Sequence, residues 1–236
     1  MKLIEKNKDQ IVFSAEIDES LANAIRRYVN HVPVLAVDEL EISRNDSPLY
    51  DETIAHRVGL VPIKANKAAE KAKVKLSVKR EGTVYSGDMK GAEVVYKSIP
   101  ITTLDKGQEL EFTGTLKFGI GAEHAKFTPG LMFYRNAAEI TMSNDFLDDV
   151  KKALPDAEIT ERGGKIILVD NRKKEIADVL EGLAHKAKKK AEVVSGKELI
   201  ITVESFGQMD AKDIFRESID ALRKDLNSVV KAMDKA

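Results

Sequence analysis

Residues 199 to 233 have the sequence LIITVESFGQMDAKDIFRESIDALRKDLNSVVKAM, which predicts a strand followed by a long helix. The strand is predicted over LIITVESF, because a short apolar run rich in β-branched residues is typical of a buried strand. The helix is predicted from about Asp210 to Met233. Its apolar residues advance by four and three positions in turn, which is the spacing of a heptad seam. The seam residues are Phe215, Ile219, Leu222, Leu226, Val229 and Met233.

Something must cover this seam. Each of its six side chains stabilises by roughly 1.5 to 3 kcal/mol on burial, so a seam left in water would forgo roughly 10 kcal/mol. The cover could belong to the chain itself, which is the common case for an amphipathic helix. A straight, narrow seam also suits a second helix, and its burial offsets much of the roughly 4 to 15 kcal/mol entropic cost of association. We therefore favour a dimerisation element, with either an identical or a different chain.

The start of the chain predicts a hairpin, a helix and a strand. KLIEKNKDQIVFSAEI, residues 2 to 17, holds a short apolar run and then Ile11, Phe13 and Ala15 in alternation, which predicts two strands joined by a polar turn. Asp18 can cap a helix that runs through Tyr28. VPVLAVDELEIS is apolar at first and then alternates, which predicts a strand that passes from buried to half-exposed. The helix has one apolar face, made of Leu21, Ile25, Tyr28 and Val29.

Two adjacent arginines, Arg26 and Arg27, lie on the same helix. A solvated helix face is the more common explanation for such a pair. Arginine is also favoured at protein interfaces, because its guanidinium group can bind a partner carboxylate through two hydrogen bonds. The residue types alone leave both explanations open.

The stretch DETIAHRVGLVPI, residues 51 to 63, contains a histidine beside an arginine and is explained by helix capping. Ser47 and Pro48 predict the N-cap and the first helical residue. Gly59 is predicted to take the left-handed position after the helix, and Pro62 prevents the helix from resuming. His56 and Arg57 then lie in the last turn, where the helix dipole favours cations. Capping of this kind requires neither a ligand nor a catalytic histidine.

The middle of the chain differs in style from both ends. Residues 74 to 116 alternate mostly with period two, which predicts a β-rich module. KIILVD, residues 165 to 170, predicts a short strand, and residues 175 to 190 predict an amphipathic helix that ends in clustered lysines. Both ends are predicted to combine strands with amphipathic helices. This contrast predicts one discontinuous domain with a second domain inserted into it.

Composition excludes several classes of function. The 236 residues include no cysteine, which excludes disulfides, thiolate metal sites and cysteine nucleophiles. The formal net charge of −1 provides no overall field that would draw the chain to DNA or to anionic lipid. No stretch resembles a signal peptide or approaches the roughly 18 apolar residues of a membrane span. We therefore expect a cytoplasmic protein.

No active site is predicted. The four histidines lack the spacing of a metal-binding pattern. GIGAEH, residues 119 to 124, begins like a dinucleotide-binding fingerprint but lacks the third glycine, so a glycine-rich turn is the better interpretation. A phosphate-binding loop and a nucleophile elbow are both missing from the sequence.

Three motifs carry a resemblance to a known family. LANAIRRYVNHVPVLAVDELEI, DETIAHRVGLVPI and GAEHAKFTPG, in that order, resemble the D subunit of archaeal RNA polymerase. That family is related to the third-largest subunit of eukaryotic polymerases and to the bacterial alpha subunit. The resemblance covers essentially the whole chain, and the last strand and the seam helix fall where the family has its C-terminal dimerisation element.

The resemblance implies an α+β fold in two domains. Residues 1–46 and 196–236 would form a discontinuous dimerisation domain, in which a sheet carries two packed helices. Residues 47–195 would form an inserted β-rich domain, with 155–194 as a ferredoxin-like remnant. Many relatives bind iron–sulfur clusters in that part, but this chain has no thiolate ligands for one. We therefore expect no cofactor and no metal.

The resemblance also implies the partners and the surfaces that bind them. The dimerisation domain would pair with the small subunit L through the seam residues and through Leu21, Ile25, Tyr28 and Val29. The resulting platform would recruit subunits N and P and then the large catalytic subunits. The implied assembly surface for the large subunits comprises Arg26, Arg27, His56, Arg57, Gly59 and Pro62.

The hypothesis is therefore a non-catalytic assembly subunit of archaeal DNA-directed RNA polymerase, with nucleotidyl transfer belonging to the whole complex. We expect neither sequence-specific DNA binding by this chain nor membrane association. The alternative is a small metabolic enzyme that forms a homodimer through the seam and has no recognisable active site. The two hypotheses are distinguished by whether the chain copurifies with a smaller protein.

Overall fold

A computed structural model describes residues 1–64 and 70–235 of the chain. Within them it contains eleven strands and five α-helices. The strands are β1 (Lys2–Lys6), β2 (Gln10–Ala15), β3 (Val34–Asn45), β4 (Lys73–Val78), β5 (Gly82–Tyr85), β6 (Pro100–Leu104), β7 (Leu110–Gly119), β8 (Gly130–Ser143), β9 (Ile159–Arg162), β10 (Lys165–Asp170) and β11 (Glu192–Ser205). The helices are α1 (Glu19–Tyr28), α2 (Asp51–Gly59), α3 (Leu147–Ala153), α4 (Ala177–Lys186) and α5 (Ala211–Met233).

The chain divides into two compact units, and both are discontinuous in sequence. The first unit combines residues 1–23 with 132–202, and the second combines 24–131 with the chain from residue 203 onward. The domain boundaries predicted from the sequence lie at other positions, after residues 46 and 195. The assignment of a dimerisation domain and an inserted domain therefore stays a prediction.

The first unit holds most of a six-stranded sheet with the order β1-β2-β11-β8-β10-β9. The predicted N-terminal hairpin and the predicted strand KIILVD are both confirmed, as β1 with β2 and as β10. Gly163 and Gly164 join β9 to β10 with φ angles of +59° and +74°. Positive φ at both positions is what a two-residue type I′ hairpin requires. Helices α3 and α4 contribute to the core of this unit, which comprises Ile140, Met142, Phe146, Val150, Leu154, Ile166, Leu168, Leu180 and Ala184.

The second unit holds a three-stranded antiparallel sheet with the order β3-β7-β4 and a two-stranded sheet, β5-β6. The predicted alternation of the middle region is confirmed, because Val74, Leu76 and Val78 are buried while the residues between them are exposed. Helix α2 packs against β3. The largest side chains of this core are Leu35, Ile54, Ile63, Leu76, Ile101, Leu104, Leu110, Phe112 and Leu116.

Antiparallel sheets combined with helices confirm the α+β class. Residues 155–194 contribute β9, β10 and α4 and the start of β11. The ferredoxin-like character of this segment is a finer statement, and it stays a prediction.

The bounds predicted for the first and last helices agree with the structure. Helix α1 follows Asp18, whose carboxylate accepts hydrogen bonds from the hydroxyl and the backbone N–H of Ser20. The hydrogen bond from the Ser20 hydroxyl is the larger cause that lowers the pKa of Asp18, and the one from the Ser20 backbone N–H lowers it further. Helix α5 follows Asp210 at the N-cap position and ends at Met233.

The predicted start of α2 is wrong, because the helix begins at Asp51 rather than at Pro48. Asn45 holds the preceding residues in a turn instead. Its side-chain oxygen accepts from the backbone N–H of Ser47 at 3.1 Å, and its side-chain nitrogen donates to the carbonyl of Leu49 at 2.8 Å. Ser47 therefore belongs to this turn and does not cap the helix.

Two predicted helix ends are also corrected. Gly59 belongs to α2 and is not left-handed, and the helix is closed by Leu60 in a right-handed conformation with φ −83°. Helix α4 ends at Lys186, not near Lys190, because Lys188 adopts a left-handed φ of +55° that stops the helix.

Candidate protein-binding surface

The buried residues of helix α5 all lie in its first half. Ala211, Ile214 and Ser218 are buried, and the helix packs against the short 3-10 turn Val29–His31. Every residue from Arg223 to Lys235 is exposed. The structure therefore shows a helix whose second half is left uncovered by the rest of the described chain.

The exposed half carries large apolar side chains on one side. The exposed fractions are 57% for Leu226, 55% for Val229, 55% for Val230 and 72% for Met233. These four exposed residues form the α5 surface. The other seam residues, Phe215, Ile219 and Leu222, are half-buried. Val230 was missed by the sequence analysis because it lies beside the strict four and three spacing.

Helix α1 exposes only part of the apolar face predicted from the sequence. Leu21 is 47% exposed, and Tyr28 is half-buried. Ile25 and Val29, which were expected to contact the partner, are buried within the chain. Their side chains already have a cover, so they offer no surface to another protein.

The Tyr28 side chain connects the end of α1 to α5. Its hydroxyl donates a hydrogen bond to Oδ2 of Asp225 at 2.9 Å, and its ring stacks on that of His31 with 4.6 Å between centroids. The hydrogen bond to Asp225 raises the pKa of Tyr28 above its ordinary value of 10.0. Nothing in the local sequence pattern signals this contact, because the two residues are 197 positions apart.

The residues expected on the assembly surface differ in how far they are exposed. Arg26, Arg27 and His56 are exposed. Arg57 is exposed and donates from Nη1 to the backbone carbonyl of Ile101 at 2.9 Å. Pro62 is half-buried, and Gly59 is buried and offers no contact surface.

A charged pair lies near Gly59 in the second unit. Nζ of Lys126 is 2.7 Å from Oδ1 of Asp38 and 5.0 Å from the ring centroid of Phe127. Lys117 approaches the same carboxylate at 3.3 Å. The hydrogen bond from Lys126 holds the pKa of Asp38 below its ordinary value. Lys126 belongs to the segment GAEHAKFTPG, and His124 in that segment accepts a hydrogen bond from the Lys126 backbone N–H at 3.1 Å.

Over residues 1–64 and 70–235, no group of three or more histidine and carboxylate side chains could hold a metal ion. Across the same residues, no helix combines the length and the apolar character needed to cross a membrane. The α5 surface groups four exposed apolar side chains on one side of a helix, and an exposed apolar patch is typical of a protein-binding site.

Comparison with known proteins first gives the class of the chain. Residues 40–131 match the family model described as the RNA polymerase Rpb3/RpoA insert domain. All the matched residues lie in the second unit.

Comparison with whole proteins then gives the family. The chain is 31% identical to DNA-directed RNA polymerase subunit Rpo3 of Thermococcus kodakarensis, over 99% of this chain and 97% of that protein. It is 36% identical to Rpo3 of Methanocaldococcus jannaschii, over 69% of this chain and 89% of the relative. It is 38% identical to Rpo3 of Pyrococcus horikoshii, over 61% of each chain. The chain belongs to the Rpo3 family of archaeal RNA polymerase subunits, which confirms the family resemblance carried by the three sequence motifs.

Proposed function

We propose that this chain is a non-catalytic assembly subunit of archaeal DNA-directed RNA polymerase that acts in the cytoplasm. It forms a heterodimeric platform with the small subunit L. The observation that carries the proposal is the α5 surface, which the described chain leaves in water. Family membership supports the polymerase as the assembly, and the exposed helix supports a protein partner.

The size of the α5 surface fits one side of a helix-to-helix contact. Covering the exposed part of its four side chains contributes about 1 to 1.5 kcal/mol each, or about 4 to 6 kcal/mol together. A partner that buries a similar apolar area of its own doubles this figure to about 8 to 12 kcal/mol. This sum matches the roughly 4 to 15 kcal/mol cost of association. The half-buried seam residues of α5 add the surplus that a stable pair needs.

The same platform would then contact the remaining subunits through charged side chains. Arg26, Arg27, His56 and Arg57 are exposed and suit the recognition of carboxylates on another protein. We assign subunits N and P and the large catalytic subunits to surfaces that include these residues. Gly59 contributes to this surface only through the packing of α2, since it is buried.

The chain is proposed to work without a cofactor. The segment 155–194 has no cysteine for an iron–sulfur cluster and is instead supported by an apolar core shared with α3 and β8. We propose that this segment is a ferredoxin-like remnant in which packing replaces the cluster.

The test is coexpression of this chain with subunit L, followed by native mass spectrometry of the purified material. Leu226→Asp places a charge in the α5 surface and is expected to abolish the one-to-one heterodimer. Asn227→Asp adds the same charge to the neighbouring exposed position and is expected to leave the heterodimer intact. A wild-type chain that forms only a homodimer would favour the alternative of a small homodimeric enzyme. Heterodimer formation by Leu226→Asp at the wild-type level would refute the proposed surface.

A further inference from the structure

The Tyr28 side chain, at the end of α1, contacts α5 within the second unit through Asp225. Beyond Asp225 every described residue of α5 is exposed, and the segment from Leu226 to Met233 is about 12 Å long. Most helical stability in proteins comes from tertiary packing, so a helix end with little packing of its own frays readily. The direction and helical order of residues 226–233 therefore depend on the contacts that α5 makes just before Leu226.

Tyr28 is well placed to hold it. Its ring is fixed by stacking on His31, and it directly precedes the Val29–His31 turn on which α5 packs. Its hydroxyl reaches Asp225, which is adjacent to Leu226 and one turn before Val229. The carboxylate acceptor makes this a charge-assisted hydrogen bond, which is stronger and more directional than a neutral one.

The hydrogen bond holds the flank of α5 and leaves the α5 surface open. Asp225 precedes a seam position, so its side chain points beside the apolar row and not along it. The contact therefore fixes the helix without covering any of the four apolar side chains.

We infer that Tyr28 and Asp225 are positioning residues for partner binding, because their hydrogen bond fixes the direction and order of the exposed half of α5. Tyr28, which was expected to contact the partner, has its hydroxyl committed to its own chain. This inference rests on the proposed function, since it concerns how the α5 surface is presented to subunit L. Its physical basis is preorganisation, in which a segment that is already ordered loses less entropy on binding.

The variants that test the inference are Tyr28→Phe and Asp225→Ala, made in the full chain. Each has a matched control: Tyr50→Phe removes the hydroxyl of a tyrosine that is 83% exposed, and Asp220→Ala removes an exposed carboxylate five residues earlier on α5. Titration calorimetry with subunit L measures the Kd. Each test variant is expected to weaken binding about tenfold. The double variant is expected to be no weaker than either single one, because both remove the same bond.

Amide hydrogen exchange of the isolated chain supplies a readout that does not depend on a partner. Exchange over residues 226–233 is expected to accelerate in Tyr28→Phe and Asp225→Ala, with residues 211–218 unchanged. A Kd within twofold of wild type, or a double variant about a hundredfold weaker than wild type, would overturn the inference. Unchanged exchange over 226–233 would also overturn it. Failure of the proposed function is distinguishable, because it appears as normal pairing by Leu226→Asp.

Discussion

The guanidinium group of Arg135 donates a hydrogen bond from Nη2 to Oδ1 of Asp170 at 2.7 Å, and Asp170 is only 1% exposed. The other oxygen of this carboxylate accepts from the backbone N–H groups of Ile176 at 3.1 Å and Ala177 at 3.4 Å. Asp170 ends β10, and Ala177 begins α4. One buried carboxylate thus connects β8, β10 and the start of α4 within the first unit.

Asp170→Asn is expected to lower the free energy of unfolding by about 2 to 3 kcal/mol. Removing one partner of a buried ion pair leaves the other without compensation, and the cost falls below the roughly 3 to 5 kcal/mol of a fully buried pair because Arg135 is partly exposed. Urea unfolding at neutral pH measures the change. Glu158→Gln is the matched control, since Glu158 pairs with Arg172 while largely exposed, and a loss below about 0.5 kcal/mol is expected. Equal losses in the two variants would contradict the importance of burial.

Lys126→Met is expected to cost about 1 kcal/mol at neutral pH, because it removes the hydrogen bond to Asp38 but keeps the packing of the side chain. The folded-state pKa of Asp38 lies below the ordinary value of 3.8. The contribution of the pair is therefore complete above that value and is lost as the pH falls through the folded-state pKa. Unfolding curves between pH 7 and pH 2 should converge for the two proteins at the acid end. Lys117→Met, which changes a more exposed lysine, should show a smaller difference throughout.

Two glycine substitutions are expected to have opposite effects. A Cβ atom at Gly130 would lie 2.0 Å from the carbonyl oxygen of Glu204, so Gly130→Ala requires a backbone shift and should destabilise by about 2 kcal/mol or more. A Cβ atom at Gly182 meets no atom within 4 Å, and the residue lies inside α4. Gly182→Ala should stabilise by about 0.5 to 1 kcal/mol. Thermal melting compares both with wild type, and a stabilised Gly130→Ala would contradict the close approach of the two strands.

The two halves of α5 are expected to respond differently to truncation. Ile214 is fully buried, so Ile214→Ala should lower the free energy of unfolding of the single chain by about 2 to 4 kcal/mol. Leu226 is exposed in the single chain, so Leu226→Ala should change that quantity by less than about 0.5 kcal/mol. Denaturant unfolding of the isolated chain tests this contrast. A large loss for Leu226→Ala would mean that the chain covers this residue itself.

The elements predicted best from the sequence are those whose contacts repeat along one face. Helix α5 and strand β10 agree with their predicted bounds because a seam or an alternation involves many residues, so that no single side chain decides the outcome. The start of α2 was mispredicted for the opposite reason. One side chain, Asn45, decides it by bonding its own backbone neighbourhood, and a Ser-Pro pair alone does not reveal that competition.

The candidate surface could be predicted only in part. A periodic apolar face shows that a helix is covered, but not whether its own chain or another provides the cover. Leu226 and Ile25 both lie on such faces, yet the first is exposed and the second is buried. The contacts of Tyr28 with Asp225 and of Arg135 with Asp170 join distant segments, and no local spacing signals them.

Under the proposed function, the exposed apolar end of α5 would link the stable amount of this protein in a cell to the amount of its partner. Chains made in excess would expose Val229 and Met233 to solvent and to one another. Such exposure favours aggregation and degradation by quality-control proteases. In the proposed heterodimer, balanced synthesis of the two polypeptides would remove that hazard, because the partner would cover the α5 surface of each new copy.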